Sequence, residues 1–313
     1  MGDNMEHVID TFFNGLKNLK NNMILFVPFT VFMGLVLVLS LILGGLLGVF
    51  IIDAGDLISS LSTVVVLLFL FMAVIILLSC YVMAGTIGMA KEAIATGMTS
   101  FKDMFGYGKK YMVRITGSTI LLSIIQLVSI VFWLPFYFAY KNAGDAMSEI
   151  VNTLESDPNA LFSIIMLEND PDALISIITS LFVPVMIGCL LTFIYLIITS
   201  IVFYFVSYAI VVDDMPVIAS FKKSFALLKQ YPGKVIIFIV LLYLLSSALL
   251  SIASSVFTFL SMFTLVNTSL FIFLYFVGLL FMIAVSIAVS VATIVWETRF
   301  YMSVTEKELY KID

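Results

Sequence analysis

Charge is scarce in this sequence. Asp, Glu, Lys and Arg make up only 11% of the 313 residues, whereas a soluble domain carries roughly a quarter. Histidine occurs once and cysteine twice, and these separate residues cannot supply the about three protein ligands of a zinc hydrolase. The composition therefore argues against a soluble protein, and we expect no metal or other cofactor.

The long apolar runs also lack Asp, Glu, Lys, Arg and His at their centres. A proton pump or an ion-coupled transporter needs such groups near the middle of the membrane, and an intramembrane serine protease needs a base for its serine. We therefore expect a protein that is not an enzyme. Gln126 is the only amide at these centres, and it either hydrogen-bonds a neighbouring helix, which we favour, or lines a cavity.

Six long apolar runs dominate the sequence, and each exceeds the roughly 20 residues that cross a bilayer core as a helix. Their apolar residues do not alternate with polar ones, so the pattern favours helices over a membrane β-barrel. The predicted fold is all-α, a polytopic transmembrane helical bundle that forms a single domain over residues 1–313. The predicted spans are 23–51, 62–88, 115–139, 180–211, 235–265 and 269–296.

The basic residues predict the orientation of these spans. With the N-terminus in the cytoplasm, fourteen of the fifteen Lys and Arg residues fall in cytoplasmic segments, as the positive-inside rule requires, and Lys141 is the exception. Asp53 and Asp56 fall in the first outer loop, and seven more acids fall in an extracytoplasmic insertion, 141–172. We therefore expect a multi-pass protein of the cell membrane with both termini in the cytoplasm.

A recurring segment precedes spans 1, 3 and 5. IDTFFNGLKNLKNNM (9–23), MTSFKDMFGYGKKYM (98–112) and IASFKKSFALLKQYP (218–232) share an apolar residue, Thr or Ser, Phe, a second apolar residue and Lys at fixed offsets. Apolar residues every three or four positions predict a helix in the headgroup plane. Gly106 and Gly108 predict partial loop structure in the second copy. The chain is thus predicted to repeat an amphipathic helix plus a hairpin three times, with amphipathic segments at 9–22, 98–112 and 216–232.

Lysines of these segments are the predicted contacts with lipid headgroups, each worth about 1 kcal/mol near an anionic surface. They are Lys17, Lys20, Lys109, Lys110, Lys222, Lys223 and Lys229. The simpler alternative is that any basic segment before a span has this composition, without a repeat.

A wider pattern covers YAIVVDDMPVIASFKKSFALLKQYPGKVIIFIVLLYLL, residues 208–245. A span ends in an apolar residue and an acid, and a turn then leads to a basic, serine-containing helix before the next span. The residues that carry this pattern are Val212, Asp213, Lys222, Lys223 and Ser224. Together with FFNGLKNLKNNMILFVP (12–28), it resembles six-helix membrane proteins of bacteria and archaea, among them the glycerophosphodiester phosphodiesterase membrane-domain family and related families of unknown function. The resemblance implies the six-span layout but not phosphodiesterase activity, since we expect no soluble catalytic domain here.

Small residues at helical spacing predict close packing within the bundle in preference to dimerisation. These residues are Gly44 and Gly48, Gly85 and Gly88, the serines 247, 251 and 255, and the alanines 284, 288 and 292. Cys80 and Cys189 are expected to be buried apolar side chains.

Several polar residues lie near the inner ends of the spans. The Asp213–Asp214 pair precedes Pro216 and suits a helix N-terminus, where carboxylates meet the positive end of the dipole. Trp296, Arg299 and Tyr301 suit an interfacial belt. Glu297 is the acid most expected to be embedded, with Arg299 as its nearest partner and no catalytic role.

The outer insertion ends in the acidic stretch LENDPD, 167–172. Its alternating carboxylates suit a cation such as Ca²⁺, but the EF-hand loop pattern is missing, so we favour a solvated acidic loop.

Three functions are consistent with these features. The favoured one is a non-enzymatic accessory or scaffold protein that binds membrane lipids or a partner, either another membrane protein or a second copy of the chain, and no nucleic acid. The alternative is a transporter or channel for a hydrophobic or lipid-like substrate, with Gln126 and the serines of span 5 along its path. A surface enzyme that uses Asp53, Asp56 or the 168–172 acids is least favoured, because no base, nucleophile or metal set accompanies them.

Overall fold

The structure, a computed structural model, describes the backbone of residues 8–52, 57–138, 140–141, 171–262, 268–307 and 309. These residues are helical almost throughout and include no strand, which confirms the all-α prediction. The helices are α1 (Val8–Asn21), α2 (Val27–Ile52), α3 (Leu57–Thr96), α4 (Phe101–Leu127), α5 (Pro171–Val202), α6 (Val206–Val212), α7 (Val217–Gln230), α8 (Pro232–Met262) and α9 (Thr268–Val304). Short 3-10 stretches at Met23–Phe26 and Val128–Trp133 precede α2 and follow α4.

Six helical stretches in the described part of the chain are long and apolar enough to cross a membrane, as the sequence predicted. They are Met23–Gly48, Thr63–Thr96, Phe101–Phe138, Phe182–Val212, Pro232–Met262 and Phe273–Val304. Two of these helices extend beyond the predicted spans at the ends that carry lysines: α3 continues past residue 88 to Thr96, and α4 begins at Phe101 instead of residue 115. The second copy is non-helical only at 98–100, so the predicted partial loop lies there and not at Gly106 and Gly108, which are within a continuous helix.

The chain divides into two compact units, residues 1–119 with 203–313 and residues 120–202. In the first unit, α8 packs against α9 as a hairpin, α2 against α3, and α1 against α9. The buried residues of α8 recur at helical spacing, and one of them, Phe238, stacks on Phe300 of α9; they are Val235, Phe238, Leu242 and Ala253. The serine stripe does not lie on this face: Ser247 is half-buried, and for Ser251 and Ser255, which are exposed, the predicted packing role is wrong.

An aromatic core joins the helices of the first unit. Phe300 stacks on two rings: its centroid lies 4.0 Å from that of Phe238 and 5.7 Å from that of Phe205. Phe12 of α1 contacts Phe238 at 5.6 Å and Trp296 at 5.2 Å. Aromatic pairs of this kind stabilise the folded protein by more than the burial of their apolar area alone.

The buried part of the first unit lies at one end of its long helices. Every residue from Ala84 to Ala90 of α3 is buried, whereas Phe69 of the same helix is 77% exposed. We call this region the packed end; it consists of α1, residues 84–96 of α3, residues 101–118 of α4, α6, α7 and residues 291–304 of α9. Trp296, Arg299 and Tyr301 are buried in it and pack within the protein, and their predicted place at the depth of the membrane interface stays a prediction.

Glycines at the packed end contact other helices closely. A Cβ on Gly88 would lie 2.1 Å from Tyr107 Cγ, and one on Gly85 would lie 2.8 Å from the Met104 carbonyl oxygen. The prediction of close packing is confirmed for this pair. For Gly44 and Gly48 it is wrong, because an added Cβ would have no described atom within 4 Å.

The second unit contains the end of α4, the 3-10 stretch Val128–Trp133 and α5. The Tyr195 hydroxyl donates a hydrogen bond of 2.7 Å to the Ile125 carbonyl oxygen, and a Cβ on Gly188 would lie 3.2 Å from the Phe132 carbonyl oxygen. Gln126 is half-buried in this unit. Cys189 is exposed, so the prediction of a buried side chain holds for Cys80 alone.

Several predicted features lie outside the described residues. They are Asp53 and Asp56 of the first outer loop, most of the insertion, and the side chains of the acidic stretch 167–172.

Candidate functional site

α1 packs against the protein through small and polar residues together with Phe12 and Leu19, and the rest of its apolar surface is exposed. Thr11, Gly15 and Asn18 are buried, whereas Phe13 and Leu16 are exposed. The buried position 15 requires a residue without a side chain, because α9 lies close to it: a Cβ on Gly15 would lie 2.4 Å from Trp296 Cδ1. The indole Nε1 of Trp296 also donates a hydrogen bond of 3.0 Å to the Phe12 carbonyl oxygen. The predicted apolar face of α1 is therefore divided: Ile9 and Leu16 are exposed, whereas Phe12 and Leu19 pack against the protein.

The same two positions are exposed in all three copies of the recurring segment. The first position holds Ile9, Met98 and Ile218, which are 52%, 78% and 68% exposed. The second holds Leu16, Phe105 and Phe225, which are 47%, 51% and 54% exposed. The residues that precede the second position, Gly15, Met104 and Ser224, are all buried. Each copy thus presents an equivalent apolar surface, and we call the three together the outer apolar faces.

Lysines flank the outer apolar faces. Among the seven predicted headgroup contacts, those with exposed side chains are Lys17, Lys20, Lys109, Lys110, Lys222 and Lys229, and Lys223 is half-buried. Lys110 differs from the others because its Nζ lies 2.8 Å from Asp214 Oδ2. An intramolecular carboxylate thus competes with any headgroup for this lysine.

Asp214 fastens the link between α6 and α7 to α4. Its carboxylate accepts hydrogen bonds from Lys110 at 2.8 Å and Arg114 at 2.6 Å, and its backbone φ is 54°. Lys110 and, second, Arg114 lower the pKa of Asp214 to about 2. Asp213 and Asp214 precede the N-terminus of α7, as predicted, but neither caps it, because the N-cap residue is Pro216, without a side-chain capping bond.

Asp213 connects the same link to the end of α9. The Tyr301 hydroxyl donates a 2.6 Å hydrogen bond to Asp213 Oδ2, and Lys307 Nζ lies 3.0 Å from Oδ1. Lys91 of α3 donates a 3.0 Å hydrogen bond to the Val212 carbonyl oxygen. The two adjacent aspartates therefore pair with different helices, and the sequence did not indicate these partners.

Glu297 of α9 is buried, with only 7% of its surface exposed. The hydroxyls of Tyr204 and Tyr208 each donate a hydrogen bond to one of its carboxylate oxygens. The predicted burial is confirmed, but the predicted partner is wrong: these tyrosines take the place of Arg299. Two tyrosines four residues apart, opposite an embedded acid, are the signal that could have indicated the cluster.

A cavity of about 420 Å³ lies beside Glu297. Its walls are mostly apolar and come from α2, α3, the start of the span in α4, α6 and α9. Phe29, Phe32, Cys80, Thr119, Tyr208 and Glu297 are among the lining residues. An apolar pocket with a few convergent polar groups is the usual form of a small-molecule site.

The arrangement combines hydrogen-bond acceptors with an apolar wall. In the described part of the chain, no three His, Cys, Asp or Glu side chains lie together in a way that could hold a metal ion. The carboxylate of Glu297 uses one acceptor position per oxygen for the tyrosines, and a carboxylate offers about four. The site can therefore accept further hydrogen bonds from a bound molecule.

Comparison with known proteins gives a family but no described activity. No curated protein matches the chain. A family model described as "Domain of unknown function (DUF7847)" matches residues 7–304, almost the whole sequence. The chain therefore belongs to the DUF7847 family.

Proposed function

We propose that the protein is a non-enzymatic accessory or scaffold component of the cell membrane, which binds anionic lipid through the outer apolar faces and their lysines. The observation that carries the proposal is the equivalent exposure of Ile9, Met98 and Ile218 and of Leu16, Phe105 and Phe225 in three segments. Exposed apolar side chains of this size are costly in water but suit the boundary between headgroups and acyl chains.

The neighbouring charges agree with this role. Exposed lysines beside each face would meet anionic headgroups, and the distribution of basic residues favours a cytoplasmic position for the packed end and both termini. The resemblance to the glycerophosphodiester phosphodiesterase membrane-domain family enters the proposal only through its six-span layout. A protein partner, or a second copy, would then assemble on the same membrane-anchored surface.

Titration of the purified full-length protein with lipid tests the proposal. Phosphatidylglycerol is expected to bind more tightly than phosphatidylcholine, by native mass spectrometry, and high salt should remove the difference. Replacement of Lys17, Lys20, Lys222 and Lys229 by Gln should weaken phosphatidylglycerol binding by roughly fivefold per lysine. Lys141→Gln, at the one lysine predicted on the opposite side, is the matched control. Equal binding of both lipids by the wild-type protein would refute the proposal.

A second candidate function is a transporter or channel for a hydrophobic or lipid-like substrate. The cavity beside Glu297 favours it, because a largely apolar chamber within helices that could span a membrane suits such a substrate. Flux of a fluorescent fatty amine across liposomes that contain the purified protein alone would support this function. A flux equal to that of protein-free liposomes would count against it.

A further inference from the structure

We propose that the cavity beside Glu297 is a binding site for an apolar molecule whose polar end is an ammonium group. The proposal rests on the chemistry of the cavity wall and is independent of the outer apolar faces. None of the seven headgroup lysines lines this cavity.

The carboxylate of Glu297 at the cavity wall favours a ligand whose polar head is positively charged. Glu297 has two tyrosine hydroxyls as its partners and forms no ion pair within the described part of the chain. A buried carboxylate is costly unless it is paired as well as hydrogen-bonded. A bound ammonium would supply the missing counter-ion, whereas a phosphate or carboxylate head would be repelled.

The aromatic rings at the wall favour the same kind of head. Phe29, Phe32 and Tyr208 line the cavity together with Glu297. Aromatic faces attract cations, and the attraction increases where water is excluded. An alcohol would gain a hydrogen bond to the carboxylate but neither the ion pair nor the attraction to the rings.

The apolar remainder of the wall selects the body of the ligand. Two further cavities of the first unit have nearly the same volume, about 410 and 420 Å³, but Asp, Glu, Lys and Arg are absent from their described walls. Those cavities suit acyl chains without a preferred head. The cavity at Glu297 adds a charge at a fixed position, because the two tyrosines and the buried end of α9 hold the carboxylate in place.

Thermal unfolding of the full-length protein in a non-ionic detergent, followed by intrinsic fluorescence, measures the binding. The probes are dodecylamine, dodecan-1-ol and dodecanoate, which share one alkyl chain and differ only in the head. Dodecylamine is expected to raise Tm in a saturable way and to bind at least about tenfold more tightly than the other two, as an ion pair requires. Partition of a probe into micelles cancels when variants are compared with the same probe, and affinities of different probes are compared as their mole fractions in the micelle.

Two variants and one control make the test specific. Glu297→Gln keeps an oxygen acceptor and removes the charge, so dodecylamine affinity should fall about tenfold. Ser79→Phe fills the cavity from α3 without altering Glu297, and it should abolish the effect even if the first variant folds poorly. The control is Glu92→Gln, since Glu92 also accepts a hydrogen bond from a tyrosine, Tyr107, but lines none of these cavities.

The outcomes separate clearly. Full dodecylamine stabilisation of Glu297→Gln, or of Ser79→Phe, would overturn the proposed site. Equal affinity for dodecan-1-ol and dodecylamine would overturn the ammonium head. A loss of affinity as large in Glu92→Gln as in Glu297→Gln would show non-specific attraction of the amine to acidic protein. Loss in Glu297→Gln and Ser79→Phe alone supports the site.

Discussion

The glycines of α2 and those of the packed end have opposite surroundings. Gly44, Gly45 and Gly48 would have no described atom within 4 Å of an added Cβ, whereas Gly15 and Gly88 would have an aromatic ring at 2.4 Å or less. Lipid tails are as apolar as leucine, so apolar surface alone does not drive helices together in a bilayer. The comparison teaches that specific packing is concentrated where polar groups are present, at one end of the first unit.

The largest effect is expected from Gly88→Ala. The new methyl group would overlap the Tyr107 ring, which is held by its hydrogen bond to Glu92 and by stacking on Tyr111. Overpacking at so confined a position should cost about 3 kcal/mol. The measurement is thermal unfolding in detergent, with Gly44→Ala as the matched control. Equal Tm values for the two variants would contradict the proposed difference between the regions.

Glu297→Ala should have the next largest effect. It leaves the Tyr204 and Tyr208 hydroxyls without their acceptor, and a buried donor without a partner costs about 1–3 kcal/mol. Glu92→Ala is the control, because the Glu92 carboxylate accepts one such bond in a part-buried place. Chemical or thermal unfolding in the same detergent should place Glu297→Ala clearly below Glu92→Ala. The reverse order would show that the packed end does not depend on the Glu297 cluster.

Asp214→Asn tests an exposed part of the packed end and should have a smaller effect. The pKa of Asp214 is lowered to about 2 in the folded protein and is about 3.9 in an unfolded chain. The carboxylate therefore stabilises the folded state above about pH 4, and this contribution is lost as the pH falls from about 4 to about 2. The wild-type Tm should fall more steeply than the Tm of Asp214→Asn across that interval. Parallel curves would show that the Lys110 and Arg114 contacts do not stabilise the fold.

The smallest effect is expected from Gly44→Ala. No described atom lies within 4 Å of the new methyl group. The free energy of unfolding should therefore change by no more than an ordinary surface substitution changes it, about 0.5 kcal/mol, and Tm should shift little. The measurement combines thermal unfolding with the oligomeric state by native mass spectrometry. A marked loss of stability or a change of oligomeric state would show that this face of α2 is packed against a partner in the membrane.

The sequence predicts the helices better than it predicts their contacts. Lipid and water differ strongly as solvents, so a run of apolar residues determines a span almost regardless of its neighbours. Polar side chains at the packed end have several partners of similar chemistry. The sequence predicts Arg299, two residues away, as the partner of Glu297, whereas Glu297 pairs with tyrosines from a distant segment.

Spacing alone also could not distinguish equivalent small residues. Gly85 and Gly88 oppose Met104 and Tyr107, whereas the Gly44 and Gly48 pair opposes no described atom. Which glycine meets another helix depends on the rotation of each helix about its axis, and a uniformly apolar run leaves that rotation undetermined. The cavity beside Glu297 depends on the same rotations, so no pattern in the sequence indicated it.

The proposed membrane-surface role requires the outer apolar faces to lie in the bilayer, and their position can be measured directly. A fluorophore is attached in turn to Leu16→Cys, Phe105→Cys and Phe225→Cys in a background without Cys80 and Cys189, and the protein is reconstituted in nanodiscs. All three labels should be quenched by a lipid-borne nitroxide and protected from iodide, while a label at Lys20→Cys on the lysine side should be quenched by iodide. Quenching by iodide at the three apolar positions would place these faces in water and would contradict the proposed membrane-surface role.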